Sequence, residues 1–391
     1  MATVPPNSQA AETRPPFKAR LQQFWQRVTE GLAISQLWSQ FETEARASYR
    51  LYSADVKAKT PEGLTARGRR LHVVQEFFWA ILEKLSPARR VLLLAALIML
   101  ILPSGGFSYN DSAGEAHFVE FEFHFWAALL LFLLLMLEIA DRVVMKRDLQ
   151  IAKEIQSWLL PGAPPQIPGL SVAYITRPAN TVAGDYYDVF PRPGPSNEQN
   201  RVVFAVADVA GKSIPAAMLM ATFQASLKTL SSAQLALPDL AANMNKYACT
   251  NSQGGLRFTT AFLAEYDTAH RTFTYVNAGH NNPIVRRVNG AIERLDVGGL
   301  PLGISTDAAF QSATVELAPG DWLVIFTDGL VEAVNARDEE YGESRLLGAI
   351  ANPTSATPAE LLRRLLADLD LFVGDTPQHD DVTCLLVKAE N

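Results

Sequence analysis

Four short motifs concentrate aspartate in the C-terminal half of this chain. They are GDYYD at Gly184–Asp188, ADVAGK at Ala207–Lys212, FTDGLVEA at Phe326–Ala333 and HDDVT at His379–Thr383. Two of the acids close apolar runs, VVFAVAD ending at Asp208 and WLVIFTD ending at Asp328. A solvated surface does not need a carboxylate at the end of an apolar run, but a hard-cation site does. Mg2+ and Mn2+ prefer oxygen ligands and keep several waters of their own. No GxGxxG, Walker loop, HExxH or Cys-x5-Arg loop accompanies the acids. Several neighbours have plainer readings. Asp188 and Asp321 suit turns, His280 a locally hydrogen-bonded turn, and Glu332 support of the helix after Thr327-Asp328-Gly329. Lys212 is either a solvated lysine at a helix start or a reach toward a phosphate or a carboxylate, and His379 stands beside the acid pair.

Positioning these acids takes strands that end together. Strand-like runs occur at Ser171–Ile175, Val202–Val206, Thr260–Tyr266, Thr272–Asn277, Pro283–Val288, Ala313–Leu317, Trp322–Phe326 and Val382–Val387. Helical periodicity lies between them at Ile214–Leu230, Leu235–Asn251, Glu343–Ile350 and Pro358–Phe372. Consecutive strands with helices in blocks predict an α+β layered domain of mostly antiparallel sheets. Pro161, Pro164, Pro165 and Pro168 mark its start, giving a domain over 161–391.

The N-terminal part has a different texture. Residues 1–17 are rich in Pro, Ala and Ser and are expected to be disordered. Residues 18–88 read as helices, broken at Lys59–Gly63, with no catalytic or metal-like cluster. Two apolar segments follow, Val91–Leu102 and Phe123–Ile139, against the roughly 20 residues that span a bilayer. Arg89 and Arg90 precede the first; Arg142, Lys146 and Arg147 follow the second. The loop between them carries Asp111, Glu115, Glu120 and Glu122 and no Lys or Arg. This positive-inside pattern predicts a two-pass hairpin over 89–140 in the inner (cytoplasmic) membrane, with both ends in the cytoplasm. Residues 141–160 predict a linker helix whose Val144, Ile151 and Ile155 suit pairing in a homodimer.

Charge is divided along the chain. Residues 1–90 hold 14 Lys+Arg against 8 Asp+Glu, so +6, and the remainder, 20 against 33, carries −13. An acidic domain behind a basic arm argues against nucleic acid as a partner. The two cysteines, Cys249 and Cys384, form no CxxC and read as inert buried thiols in a reducing compartment. No short apolar signal region follows the N-terminal positive charges.

The ordered motifs carry a family resemblance. Ala183–Asp188, Asp208–Lys212 with Pro215-Ala216, Asn277-Ala278-Gly279-His280, Gly299–Gly303, Pro319-Gly320-Asp321, Thr327-Asp328-Gly329 with Glu332-Ala333, and Asp380–Thr383 occur in the order seen in SpoIIE-type phosphatases. That is the bacterial stress- and sporulation-regulator branch of the PPM metal-dependent serine/threonine phosphatases. Ala152–Gln156 with Leu159–Pro161 resembles the helix that leads into that domain, so the likeness covers roughly Ile151–Lys388. Single motifs such as TDG are weak; the whole ordered set is specific.

The resemblance implies an αββα sandwich of two antiparallel sheets with two divalent ions, Mn2+ or Mg2+, at one end. Asp185 would bind one ion, Asp208 would bridge both, the Val209 carbonyl would join them and Asp328 would hold the other. Asp380 would complete the set, with the choice between Asp380 and Asp381 open. Val209 and Ser213 stand where Gly is commoner and Asn282 where Pro is, none of which removes a ligand oxygen. The implied activity is hydrolysis of phosphoserine or phosphothreonine by water activated between two metals. The implied substrate is a phosphorylated STAS-domain anti-anti-sigma regulator. The competing expectation is a phosphatase-like signalling scaffold with little turnover, for which a missing acid would be the sign; none is missing.

Overall fold

The computed structural model describes residues 85–110, 116–192, 201–252, 254–351 and 357–391, with Trp79, Leu82 and Glu83. The expectations for 1–17, and for 18–88 up to Lys84 apart from those three residues, fall outside the described residues. Two compact units divide after Ala140.

In the first unit, helix α1 spans Pro87–Ile101 and is followed by a β-ribbon, β1 Gly105–Asn110 with antiparallel β2 Ala116–Phe121. Pro87 opens α1 in the position where a missing N–H costs nothing. Pro103 closes it by driving Leu102 into an extended conformation (ψ 131°). The helix therefore does not extend toward Phe107, and its 15 residues fall short of the roughly 20 needed to cross a bilayer. Helix α2 runs unbroken over Phe123–Leu159. The expected linker helix is thus the continuation of the second apolar segment rather than a separate element. Nothing between Ile139 and Leu159 breaks it: there is no Gly or Pro. Among the described residues α2 alone is long and apolar enough to cross a membrane, with mean hydropathy 2.2 over its apolar window. Phe125, Trp126, Leu129, Phe132 and Leu135 on it are exposed. Arg89 of α1 pairs with Glu138 of α2 at 3.3 Å.

The second unit is a four-layer sandwich. One sheet has the order β10–β7–β6–β5–β4: Gly298–Gly299, Thr272–Ala278, Thr259–Asp267, Arg201–Val209 and Tyr186–Arg192. β11, Ala313–Glu316, also pairs with β7. The other has the order β3–β13–β12–β8–β9: Leu170–Arg177, Val382–Ala389, Trp322–Phe326, Ile284–Arg286 and Ile292–Arg294. All pairings are antiparallel except the two-residue parallel contact of Gly298-Gly299 with Asn277-Ala278. The expected strand runs all lie on or against observed strands. The sequence reading did not anticipate β4, where Asp188 and Pro191 are poor strand formers: Asp188 is buried, and the exposed Pro191 is tolerated because β4 is an edge strand.

The run Val202–Ala207 shows why the layers form. Every residue in it is buried, as a strand covered on both faces requires. Val202, Phe204 and Val206 face the inter-sheet core with Phe262, Phe273, Leu323, Ile325 and Leu385. Ala205 and Ala207 face the other way, where their small side chains admit helices α3 (Ser213–Ser231) and α4 (Leu237–Asn251) through Met220, Phe223 and Leu240. On the opposite sheet, α6 (Gly342–Ile350) and α7 (Pro358–Val373) pack with the short helix α5 (Asp328–Val331). Helix α7 begins with a capping box between Thr357 and Glu360 and buries Leu361, Leu365 and Leu369 at i, i+4, i+8.

Candidate active site

The antiparallel registers bring the acids to one end of the sandwich. Tyr186 pairs with Ala207, so Asp185 precedes β4 where Asp208 ends β5. Phe326 pairs with Cys384, so Asp328 follows β12 where Asp380 and Asp381 precede β13. Carboxylates about 200 positions apart in sequence thus meet because four strand ends do. Two glycines let the loops close. A Cβ on Gly329 would collide with the Asp381 carbonyl, and one on Gly184 would crowd the Val209 carbonyl oxygen at 3.2 Å.

Asp185 is buried and accepts from the Thr327 hydroxyl at 2.9 Å. The same hydroxyl receives the Thr383 N–H at 3.0 Å, which ties β12 to β13 beneath the acids. Each oxygen of the Asp381 carboxylate accepts a backbone N–H, from Ala179 at 2.7 Å and from Gly184 at 2.6 Å. Asp380 is more open: it accepts the Asp381 N–H at 3.0 Å and meets the Lys212 ammonium at 3.1 Å. Its own carbonyl takes the Gln378 amide at 2.6 Å.

Electrostatically the group is short of positive charge. Burial, then the charges of Asp328, Asp380 and Asp381, push the Asp208 carboxyl up to about 7, against a hydrogen bond with Asp185 that pulls it down. Asp185 is raised well above the usual carboxylate range, first by burial and then by Asp208. Asp328 is raised by burial and by Asp380, with Lys212 opposing, and Asp381 by burial. Raised carboxyl groups crowded together are what an acidic site looks like without its counter-charge. The donors are all oxygens, including the Val209 carbonyl beside Gly184, and such a set fits a hard divalent cation. Among the described residues no three acidic, His or Cys side chains close around one point as a finished metal cage would. Asp381 is held by backbone amides and Asp380 by Lys212.

The neighbours separate cleanly. Asp188 is buried away from the group, bonded to the Tyr186 hydroxyl at 2.7 Å and to Lys228 at 2.6 Å. Asp321 serves a turn, taking the Val288 and Ala318 N–H groups and Arg287. His280 is buried, its Nδ1 3.0 Å from the Thr260 hydroxyl, and burial holds its ring down at about 4. Burial likewise pushes the Cys384 thiol up to about 12. Glu332 caps the end of α5 through its N–H, and its exposed side chain lines a cleft of about 430 Å³ beside Asp380 and Lys212.

One contributor carried no role in the sequence reading. Gln156, near the end of α2, clamps the backbone of Ala183, donating to its carbonyl at 2.7 Å and accepting its N–H at 2.9 Å. Ala183 precedes Gly184 and Asp185, so the helix fixes the loop that carries the first acid. The sequence signal was its place in the run Ala152–Gln156 before the proline cluster.

Comparison with known proteins finds relatives of the C-terminal part of the chain. Residues 198–390 match the family described as Stage II sporulation protein E (SpoIIE). The chain is 28% identical over 244 residues to the phosphoserine phosphatase RsbU of Bacillus subtilis (strain 168), covering 62% of this chain and 70% of that one. It is 24% identical over 249 residues to the phosphoserine phosphatase RsbP of the same organism, covering 63% and 58%. The SiaA-PP2C domain of Pseudomonas aeruginosa superposes with a TM-score of 0.54 at 18% identity, covering 64% of this chain and 99% of that domain, and shares its fold. With its ordered acid motifs and its two-sheet sandwich, the C-terminal part of this chain is an RsbU-like phosphatase domain of the SpoIIE type, in the PPM class.

Proposed function

We propose that this protein is a membrane-anchored serine/threonine phosphatase that removes phosphate from a phosphorylated regulator by metal-assisted hydrolysis. The observation that carries the reading is the convergence of Asp185, Asp208, Asp328 and Asp380 on one end of the sandwich with their carboxyl groups short of positive charge. These four, with the Val209 carbonyl, would hold two Mn2+ or Mg2+ ions. Bound there, the pair supplies a water activated for attack on phosphorus and neutralises charge on the phosphate oxygens. The protein's own part is orientation. Thr327 aims Asp185, Asp381 ties Gly184 and Ala179 to β13, and Gln156 holds Ala183. Asp381 is accordingly read as the support of the loop and Asp380 as the ligand of the pair.

The substrate reading follows the relatives. RsbU and RsbP are phosphoserine phosphatases, and a STAS-domain phosphoprotein is the proposed partner. Membrane attachment rests on the exposed apolar surface of α2, on α1 beside it and on the basic flanks of both. Exposed Val144, Ile151, Ile155 and Trp158 on the continuation of α2 offer a surface for homodimer pairing.

The test is phosphate release from a phosphoserine protein by the full chain with Mn2+, alongside folded Asp208→Asn and Asp328→Asn variants. Activity should vanish in both; turnover surviving in either would sink the metal-assisted reading. Calorimetry showing no Mn2+ uptake would favour a scaffold instead.

A further inference from the structure

We propose that Lys212 is the phosphate-binding residue of this site. The inference rests on the metal-assisted reading above and adds to it a residue that touches the substrate. A cleft of about 430 Å³ opens beside the acids, between the segment after Asp328, the C-terminal end of α7 and the loop before Asp380. Two side chains of fixed positive charge line it, Arg177 and Lys212. Arg177 already has a partner: its guanidinium meets both oxygens of Asp370, at 2.5 and 3.2 Å, in a bidentate fork. Lys212 differs. Its Nζ lies 3.1 Å from Asp380 and reaches the His379 carbonyl, while its side chain stays half exposed to the cleft.

Asp380 is therefore shared between Lys212 and the proposed metal. With a cation held by that carboxylate, the Lys212 ammonium would lose the attraction that keeps it at Asp380. A lysine head on a flexible four-carbon stem then turns to the nearest anion. Besides Asp380 and the Asp370 that pairs with Arg177, the cleft is lined by one further acid, Glu332, and a substrate phosphate, carrying more charge than a single carboxylate, competes with it for the ammonium. Lys212 thus pairs with Asp380 in this structure and would clamp the phosphate once metal and substrate are bound.

The experiment uses the full chain, Mn2+ and inorganic phosphate, with Lys212→Met, which keeps the stem, and Lys212→Arg, which keeps the charge. Calorimetry is expected to show Mn2+ affinity unchanged or increased in Lys212→Met, because Asp380 loses a competitor. Phosphate affinity of the Mn2+-loaded chain should fall roughly 10- to 100-fold, the worth of one hydrogen bond to a charged group. KM for the phosphoprotein should rise in step, and Lys212→Arg should recover most of both. Phosphate affinity unchanged in Lys212→Met overturns the proposal. So does a loss of Mn2+ affinity that by itself accounts for weaker phosphate binding, since Lys212 would then only hold the Asp380 loop. A wild-type chain that takes up no Mn2+ overturns the parent reading and this assignment together.

Discussion

The adjacent acids Asp380 and Asp381 should separate under the same chemical change. Asp381 accepts two backbone N–H bonds, from Ala179 at 2.7 Å and Gly184 at 2.6 Å. Asp381→Asn keeps one oxygen and turns an NH2 group toward the other donor, leaving it unpaired. A buried donor without a partner costs about 1–3 kcal/mol. Ala179 is only half-buried, so the lower part of that range applies, about 1–2 kcal/mol. For a unit of this size that lowers Tm by roughly 2–8 °C. Asp380 is 45% exposed, and its ion pair with Lys212 is worth about 0–1 kcal/mol. Asp380→Asn also relieves repulsion at Asp208 and Asp328, so its Tm should stay within about 2 °C of wild type. Metal affinity should reverse the order. Groups that only orient a ligand cost about 10- to 100-fold when lost. Asp381→Asn should fall in that window, and Asp380→Asn, which removes a ligand, at or beyond about 100-fold. Metal-free thermal unfolding and calorimetric Mn2+ titration of both variants decide it. A stable Asp381→Asn that binds no Mn2+, beside an Asp380→Asn that binds normally, would show the roles to be exchanged.

Two further outcomes follow from buried groups. Gln156→Ala strands the Ala183 N–H and carbonyl, at about 1–3 kcal/mol each; Mn2+ affinity measured by calorimetry should drop with stability, and an unchanged affinity would show that Gln156 does not order the Asp185 loop. His280 has a folded pKa of about 4 against an ordinary value of 6.5. The unfolded chain binds the extra proton, so its contribution is fully present above about pH 6.5 and is lost as pH falls toward 4. About 3 kcal/mol is involved. The stability difference between wild type and His280→Gln in chemical denaturation should therefore shrink by about 2 kcal/mol from pH 7 to 4.5, and a pH-independent difference would refute the neutral buried ring.

The acid set was legible because its signal is local. Asp208 and Asp328 each end an apolar run, and the registers of β4 with β5 and β12 with β13 then place their neighbours. The turn role of Asp321 was also readable from Pro319-Gly320. What lay beyond reading was long-range. In Tyr186–Arg192 the strand formers Tyr186, Tyr187, Val189 and Phe190 are interrupted by Asp188 and Pro191, and it is pairing with β5 and the contact of Asp188 with Lys228 that make the strand acceptable. The clamp of Gln156 on Ala183 joins residues 27 apart through an ordinary helix surface, which no periodicity reports. The two acids of the Asp380-Asp381 pair are chemically identical in sequence. Only the amides of Ala179 and Gly184 distinguish them, and those lie in the loop between β3 and β4, about 200 positions away in sequence.

The energetics of the acid cluster give a reason for its supports. Asp185 and Asp208 are buried next to each other, an arrangement that burial and mutual repulsion both oppose. Left alone, such loops would splay to separate the charges. The structure resists this with fixed ties. Thr327 joins Asp185 to the start of β13, Asp381 pins Ala179 and Gly184, and Gln156 pins Ala183 from the helix side. Gly329 allows the loops to approach closely enough for those ties to form. Each tie is a hydrogen bond to backbone or from a neutral donor, so none neutralises the site. Lys212 contributes the charge-compensating contact to Asp380, and it stands half exposed on a flexible stem. The fold thus holds the acids in place while leaving their charge largely uncompensated. That combination retains affinity for a divalent cation, because no buried positive charge sits permanently among the acids.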